Sequence, residues 1–149
     1  MPLNVGDLAP NFQLPSTAGK DFVLNDYKGQ VLVLFFYPKD FTGVCTKEAC
    51  TFRDQFMAFR NLDVTVVGIS RDDLATHHRF KEKYKLPFDL LADEDGATTK
   101  AYKSAIPLFG ISKRVTYVLD KSHRVAAVVE DLFDAEIHIK ETLEKIRNL

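Results

Sequence analysis

Runs and alternations of apolar positions divide the chain into short blocks. Residues 31–37, VLVLFFY, are apolar throughout, the pattern of a strand covered on both faces. Residues 64–70, VTVVGIS, repeat that pattern, and 88–93, FDLLAD, make a shorter strand introduced by Pro87. Residues 115–120 and 125–130, VTYVLD and VAAVVE, flank a polar turn and predict a hairpin. Upstream, NFQLPSTAGKDFVL alternates around Pro15 and Gly19 and predicts a short N-terminal hairpin. Helical spacing fills the gaps. Residues 72–84 carry Leu74 and Phe80 as apolar points, with Asp72 or Asp73 as N-cap. Residues 134–147 place Ile137, Leu143 and Ile146 on one face, with Asp134 as cap. Strands alternating with helices, then a hairpin and a last helix, predict an α/β domain with a mixed sheet and helices on both faces.

A further helix follows the first long strand. From Thr42 to about residue 60, apolar residues fall at 45, 49, 52, 56 and 59. At ~100° per residue these span roughly 80° of the helix surface. Cys45 therefore shares a buried stripe with Ala49, Phe52, Phe56 and Phe59. Cys50 lies about 140° round from it, so the two cysteines point to different faces.

Composition narrows the classes. The 149 residues suit one domain, 1–149, with one core. A net charge of −1 provides no broad basic surface for nucleic acid. The longest apolar run, seven residues, is far short of the ~18 of a membrane span. The opening MPLNVGDLAP lacks the basic and apolar regions of a secretory signal, so a cytoplasmic protein is expected. In that compartment two cysteines are not a structural staple.

Thr42 is a favoured N-cap type, which puts Cys45 in the first turn of its helix. The free N–H groups and dipole there favour negative charge, and the thiolate is the reactive form of a cysteine. On spacing alone, two readings of Cys45 stand side by side: a nucleophile, or a small buried core residue. In a regular helix residues i and i+5 have Cα atoms ~8.7 Å apart, beyond the ~7 Å that a disulfide spans. Cys45 and Cys50 can pair only if the first turns unwind. Zinc would need four ligands; the cysteine gap fits, but His77 and His78 are adjacent and His123 and His138 isolated, so no metal site is expected.

These residues resemble a known family. PKDFTGVC fits Pro-x-x-x-Thr-x-x-Cys, the active-site signature of peroxiredoxins, through Pro38, Thr42 and Cys45. CTKEACTFRD resembles the bacterioferritin-comigratory-protein or peroxiredoxin Q branch, an atypical 2-Cys type with a second cysteine five residues on. VGDLAPNFQLP and VVGISRDDLATHHRFKEKYKLPFDLLAD extend the likeness over nearly the whole chain. The resemblance implies a thioredoxin-like fold with an N-terminal β-hairpin extension, and thiol-dependent reduction of hydroperoxides. It makes Cys45 the peroxidatic cysteine, oxidised to a sulfenic acid, and Cys50 the resolving cysteine that closes a disulfide. A thioredoxin or glutaredoxin-like reductant would reopen it. No cofactor is expected, and the branch leans towards monomers.

By the same likeness Arg114 stands beside the thiolate, although its neighbour Lys113 makes the register open by one residue. Thr42 offers its hydroxyl to peroxide, Pro38 shields the sulfur, and the Val44 and Cys45 N–H groups join the donors. Glu48 orients an arginine, or is a solvated helix charge. Arg53 is a further outer residue. Two features depart from the family pattern: the turn DKSHR, where relatives often carry glycine, and AIPLFGISK before Arg114. The competing functions are a thioredoxin-type thiol–disulfide oxidoreductase, which would need the absent C-x-x-C, and a non-enzymatic thioredoxin-fold module.

Overall fold

The computed structural model describes residues 2–106, 112–130 and 135–149. Its centre is a five-stranded sheet of β3 (Val31–Phe36), β4 (Val64–Ser70), β5 (Asp89–Ala92), β6 (Val115–Leu119) and β7 (Val125–Glu130), in the order β5-β4-β3-β6-β7. The β3–β4 and β4–β5 pairs are parallel, and β3–β6 and β6–β7 antiparallel. The mixed sheet is the one expected. β1 (Gln13–Leu14) and β2 (Phe22–Val23) pair antiparallel and form the N-terminal hairpin.

Alternation along β3 divides the interior in two. Val33 and Phe35 point with Tyr37 into one cluster, which also holds Cys45, Ala49, Phe52, Phe59, Phe80, Ile139, Leu143 and Ile146. Leu32, Leu34 and Phe36 point into the other, covered by Leu3, Ala9, Phe12, Leu14, Phe22, Leu24 and Tyr102. The first cluster seats the helices α1 (Gly43–Asp54), α2 (Phe56–Asn61), α3 (Leu74–Tyr84) and α5 (Ala135–Arg147). The second is covered by the N-terminal segment and the end of α4 (Ala97–Ala101).

The seat of α1 depends on a glycine in the next strand. A Cβ on Gly68 would lie 2.6 Å from the Phe35 ring, so only glycine lets that ring lie across β4. Phe35 in turn stacks on Phe52 of α1 at 4.6 Å. Fully burying such a ring contributes about 1.5–3 kcal/mol. Gly68→Ala would push Phe35, and with it α1, off the sheet.

Three expectations need correction. The helix predicted from 42 to about 60 breaks at Gln55 into α1 and α2. There the Ala58 N–H bonds the Gln55 carbonyl at 2.9 Å, a tightened i to i+3 turn, and Phe52 and Phe59 still meet at 5.3 Å. Helix α3 starts at Leu74 and not at 72: of the two caps expected, Asp73 fills the role, its carboxylate accepting the Thr76 N–H, and Asp72 is engaged elsewhere. In α5 the buried face runs through His138, Ile139, Thr142, Leu143 and Ile146, and Ile137 is 50% exposed. The two isoleucines at 137 and 139 are 200° apart on a helix by the ~100° rule, so only one can face the sheet. Asp134 and most of AIPLFGISK lie outside the described residues. Finally, α4 and a 3₁₀ turn at Leu24–Tyr27 are too short for periodicity to reveal. The turn DKSHR needs no glycine: His123 itself takes the left-handed conformation, with φ 61°.

Candidate active site

The sheet register builds the site. β3 ends at Phe36, Tyr37 and Pro38 follow, and a short loop turns into α1 at Gly43. Phe36 pairs with Val115 on β6, so Arg114, one residue earlier, lies level with the start of that loop. Both chain segments therefore deliver their polar groups to one end of the sheet.

Thr42 occupies the N-cap position in an extended conformation, but its side chain does not cap the helix. Its hydroxyl donates to the Lys39 carbonyl at 2.8 Å, and its oxygen keeps its lone pairs for an incoming O–H. The first backbone bond of α1 runs from the Thr46 N–H to the Thr42 carbonyl, 2.8 Å. The Gly43, Val44 and Cys45 N–H groups therefore have no acceptor within the helix. No acidic side chain occupies the first turn. The end of α1 is a set of donors and a positive dipole without a carboxylate to quench it.

Cys45 is in that first turn and only 2% exposed. Nη2 of Arg114 is 3.3 Å from its Sγ, and Nη1 donates to Oε1 of Glu48 at 2.7 Å. Cys45 and Glu48 are three apart on one helix face, so one guanidinium reaches both. Arg114 is 5% exposed. Burial works against its charge, but the neighbouring Glu48 carboxylate and the Cys45 sulfur outweigh it and hold its pKa above the ordinary arginine value. Its Nε–H has no acceptor among the described residues, which leaves one donor unspent. Lys113 does not compete: its N–H bonds the Ser104 carbonyl and Arg114 is the residue at the sulfur.

Glu48 is fully buried and not a solvated helix charge. Its second oxygen lies 3.5 Å from Nε2 of His138 on α5, and the same nitrogen hydrogen-bonds Oγ1 of Thr116 on β6. Sequence reasoning misses His138 and Thr116. The usable signal is a histidine next to Ile139 on the 139, 143, 146 stripe, obscured when the buried face is assigned to Ile137. Pro38 is partly buried at the end of β3.

Cys50 has a different setting. Both cysteines are free thiols on an intact α1, and Cys50 is partly exposed. Burial pushes its pKa above the ordinary thiol value, while the Arg53 guanidinium pulls it down and Asp54 adds to the rise. Arg53 lies outside the Cys45 cluster. Its Nε donates to Asp54 at 3.0 Å and its Nη1 to the Tyr84 carbonyl at 2.8 Å, tying α1 to the end of α3.

The profile of the AhpC/TSA family matches residues 5–128. The chain belongs to that family. Within it, the chloroplastic peroxiredoxin Q of Oryza sativa subsp. japonica is 45% identical over 145 residues, covering 97% of this chain and 67% of that one. The crystal structure of the peroxidoxin BcpB of Mycobacterium tuberculosis superposes with a TM-score of 0.90 at 32% identity, covering 97% of both chains. A Xanthomonas campestris bacterioferritin comigratory protein, whose structures concern its alkyl peroxide reduction activity, superposes at 0.85 with 25% identity, covering 92% of this chain and 90% of that one. The chain is thus a peroxiredoxin of the Q, or bacterioferritin-comigratory-protein, branch, and its fold is thioredoxin-like. It is an enzyme, a thiol-dependent peroxidase acting on hydroperoxides with a thioredoxin-type reductant. The readings as a thioredoxin-type oxidoreductase or a non-enzymatic module fall away. No helix among the described residues is long and apolar enough to cross a membrane.

Proposed function

We propose that this peroxiredoxin reduces hydroperoxides through Cys45 and Cys50 in two chemical steps before recycling. The Cys45 thiolate attacks the terminal oxygen of R–O–O–H and the O–O bond breaks. Sulfur keeps the hydroxyl as a sulfenic acid, and the departing alkoxide takes a proton to leave as alcohol, or as water from hydrogen peroxide. Arg114 and the Val44 and Cys45 N–H groups donate to the peroxide oxygens as charge moves onto them. The free lone pairs of Thr42 accept a hydrogen bond from the peroxide O–H, Pro38 keeps bulk water from the sulfur, and Glu48 fixes the guanidinium. The single observation that carries this reading is the 3.3 Å contact of a buried arginine with a sulfur in the first turn of a helix.

In the second step the Cys50 thiol attacks the sulfenic sulfur, water leaves, and the disulfide forms. Both residues lie within α1, and an intact helix holds i and i+5 Cα atoms ~8.7 Å apart. The first turns of α1 therefore unwind for this step. Arg53, beside Cys50, assists here and not at the peroxide. A thioredoxin then reduces the disulfide, with a monomer in the cytoplasm as the working unit. The test is peroxide treatment followed by peptide mass mapping and hydrogen exchange. A Cys45–Cys50 disulfide and lost protection across residues 44–52, with β4 unchanged, are expected. An oxidised protein lacking that disulfide, or equally protected in both states, refutes the scheme. Comparing purified thioredoxin with glutaredoxin as electron donor tests the choice of reductant, and size-exclusion chromatography with light scattering tests the monomer.

A further inference from the structure

The loop carrying Pro38 and Thr42 is pinned by a buried network that the reaction above does not use. Asp40 is 2% exposed and His77, on α3, is fully buried. Asp40 Oδ2 lies 2.6 Å from His77 Nδ1, and Asp40 Oδ1 accepts the Tyr37 hydroxyl at 2.5 Å. The Asp40 N–H donates to Asp72 Oδ2 at 2.8 Å, and Ser70 Oγ donates to the same oxygen at 2.5 Å. His77 Nε2 lies 3.0 Å from the Leu91 carbonyl.

Proton accounting fixes the pair's state. A carbonyl only accepts, so His77 Nε2 carries a hydrogen. Tyr37 donates, because burial first and Asp40 second push its pKa well above the ordinary tyrosine value. Nδ1 and Oδ2, 2.6 Å apart, are then joined by a hydrogen bond between a carboxyl group and an imidazole that solvent does not reach. Both Asp40 oxygens and both ring nitrogens are engaged, so Asp40, Asp72 and His77 form a closed network and not an open set of metal donors.

The next residue gives the network a task. Phe41 has φ 63°, a left-handed backbone that is strained for a bulky side chain. Its ring is held edge-on against Phe80, 5.0 Å away on the same helix as His77. Helix α3 thus grips the loop at two successive residues, Asp40 and Phe41. The strained backbone between them leads directly into Thr42 and the free N–H groups of α1.

We propose that Asp40 and His77 are positioning residues for peroxide reduction: their buried hydrogen bond clamps the loop in the strained shape that aims Thr42 and the first turn of α1 at the substrate. This rests on the assignment of Cys45 as the attacking sulfur. Without the clamp the loop relaxes at Phe41 and the donors move off the peroxide. A misplacement on the scale of 1 Å costs up to about 100-fold in rate.

The test separates the two halves of the cycle. Pre-reduced protein is mixed with hydrogen peroxide in a stopped-flow instrument, and the preformed disulfide is separately reduced with dithiothreitol. Asp40→Ala is expected to slow oxidation by about 10- to 100-fold and leave reduction by dithiothreitol unchanged. Asp40→Asn is expected to stay within about threefold of wild type, because its carbonyl accepts from Tyr37 and its amide donates to Nδ1. Should near-ultraviolet dichroism reveal an unfolded Asp40→Ala, His77→Gln replaces it. That variant keeps a polar group for Leu91 but deprives Asp40 of its partner, and the same slowing is expected. Oxidation of a folded Asp40→Ala or His77→Gln at the wild-type rate overturns the proposal. So does an Asp40→Asn as slow as Asp40→Ala, or an equal loss in both half-reactions. Failure of Cys45 itself to oxidise in the wild type would instead overturn the underlying assignment.

Discussion

Cys45 and Cys50 sit on one helix, five residues apart, in opposite surroundings. Cys45 is in the first turn, almost fully buried, and faces a guanidinium whose own charge is secured by Glu48. Everything polar that touches it stabilises negative charge. Cys50 lies past the first turn on the other side, half in solvent, where burial favours the neutral thiol and only Arg53 opposes it. The fold thus surrounds one sulfur with donors and a guanidinium and leaves the other in a setting that raises its pKa. A helix accomplishes this cheaply: its N-terminal donors serve only the first turn, and a five-residue step changes the face.

The severest way to break the comparison is to remove the sulfur that meets peroxide. Cys45→Ser should abolish peroxide consumption with either thioredoxin or a small dithiol as donor, since a hydroxyl is not ionised near neutral pH. Serine is close in size to cysteine, so an intact fold with measurable turnover in this variant would reassign the attacking group. Cys50→Ser should be asymmetric. Its first oxidation by peroxide should match wild type, while turnover with thioredoxin stalls at the sulfenic acid and returns when a small thiol is added. A dimedone adduct on Cys45 detects the stalled species.

Removing the charge that distinguishes the sites is the next largest change. Arg114→Ala should slow oxidation of Cys45 by about 100- to 1,000-fold, the range of losing one preorganised donor. It also breaks the buried 2.7 Å ion pair with Glu48, a loss on the order of 3–5 kcal/mol of stability. Chemical denaturation should detect that loss, and the oxidation rate must be read on the folded fraction. Arg114→Ala/Glu48→Gln, which removes both charges, should recover part of the stability and none of the rate. Recovery of the rate would mean that the guanidinium serves the fold alone.

Most of this contrast is legible in the amino-acid sequence. The long strands are clear because full burial writes an uninterrupted apolar run. The place of Cys45 is clear because a helix start is marked by residue type and spacing. Illegible are the features that depend on one element meeting another. His138 and Thr116 join the site from α5 and β6, and nothing local in either segment marks that convergence. Asp72 suits a helix cap by residue type, yet it is used by the Asp40 N–H across the loop. Arg53 sits beside the right motif in sequence but turns its guanidinium to Asp54 and Tyr84. Tertiary partners decide between equivalent local roles, and spacing carries no record of them.

The smallest expected effect sharpens the comparison through pH. Cys50 is raised above its unfolded value, so the native state binds more protons than the opened state wherever the solution pH lies between the two values. Stability tied to this group is complete below the unfolded thiol value and falls as pH rises towards the folded one. The unwinding of α1 that exposes Cys50 should therefore become easier in mildly alkaline solution, and its thiolate fraction should rise together with it. Closure of the disulfide from the Cys45 sulfenic acid should accelerate with pH, while the first oxidation follows a separate profile. Arg53→Gln removes the charge that lowers Cys50, so its closure profile should move to higher pH. Because Arg53 is about one-third exposed and screened, the rate at neutral pH should drop only about twofold. Stopped-flow fluorescence after a single equivalent of peroxide resolves the two phases. A closure rate flat with pH, or an Arg53→Gln profile shifted downward, would show that Cys50 is not the ionising group in the slow phase.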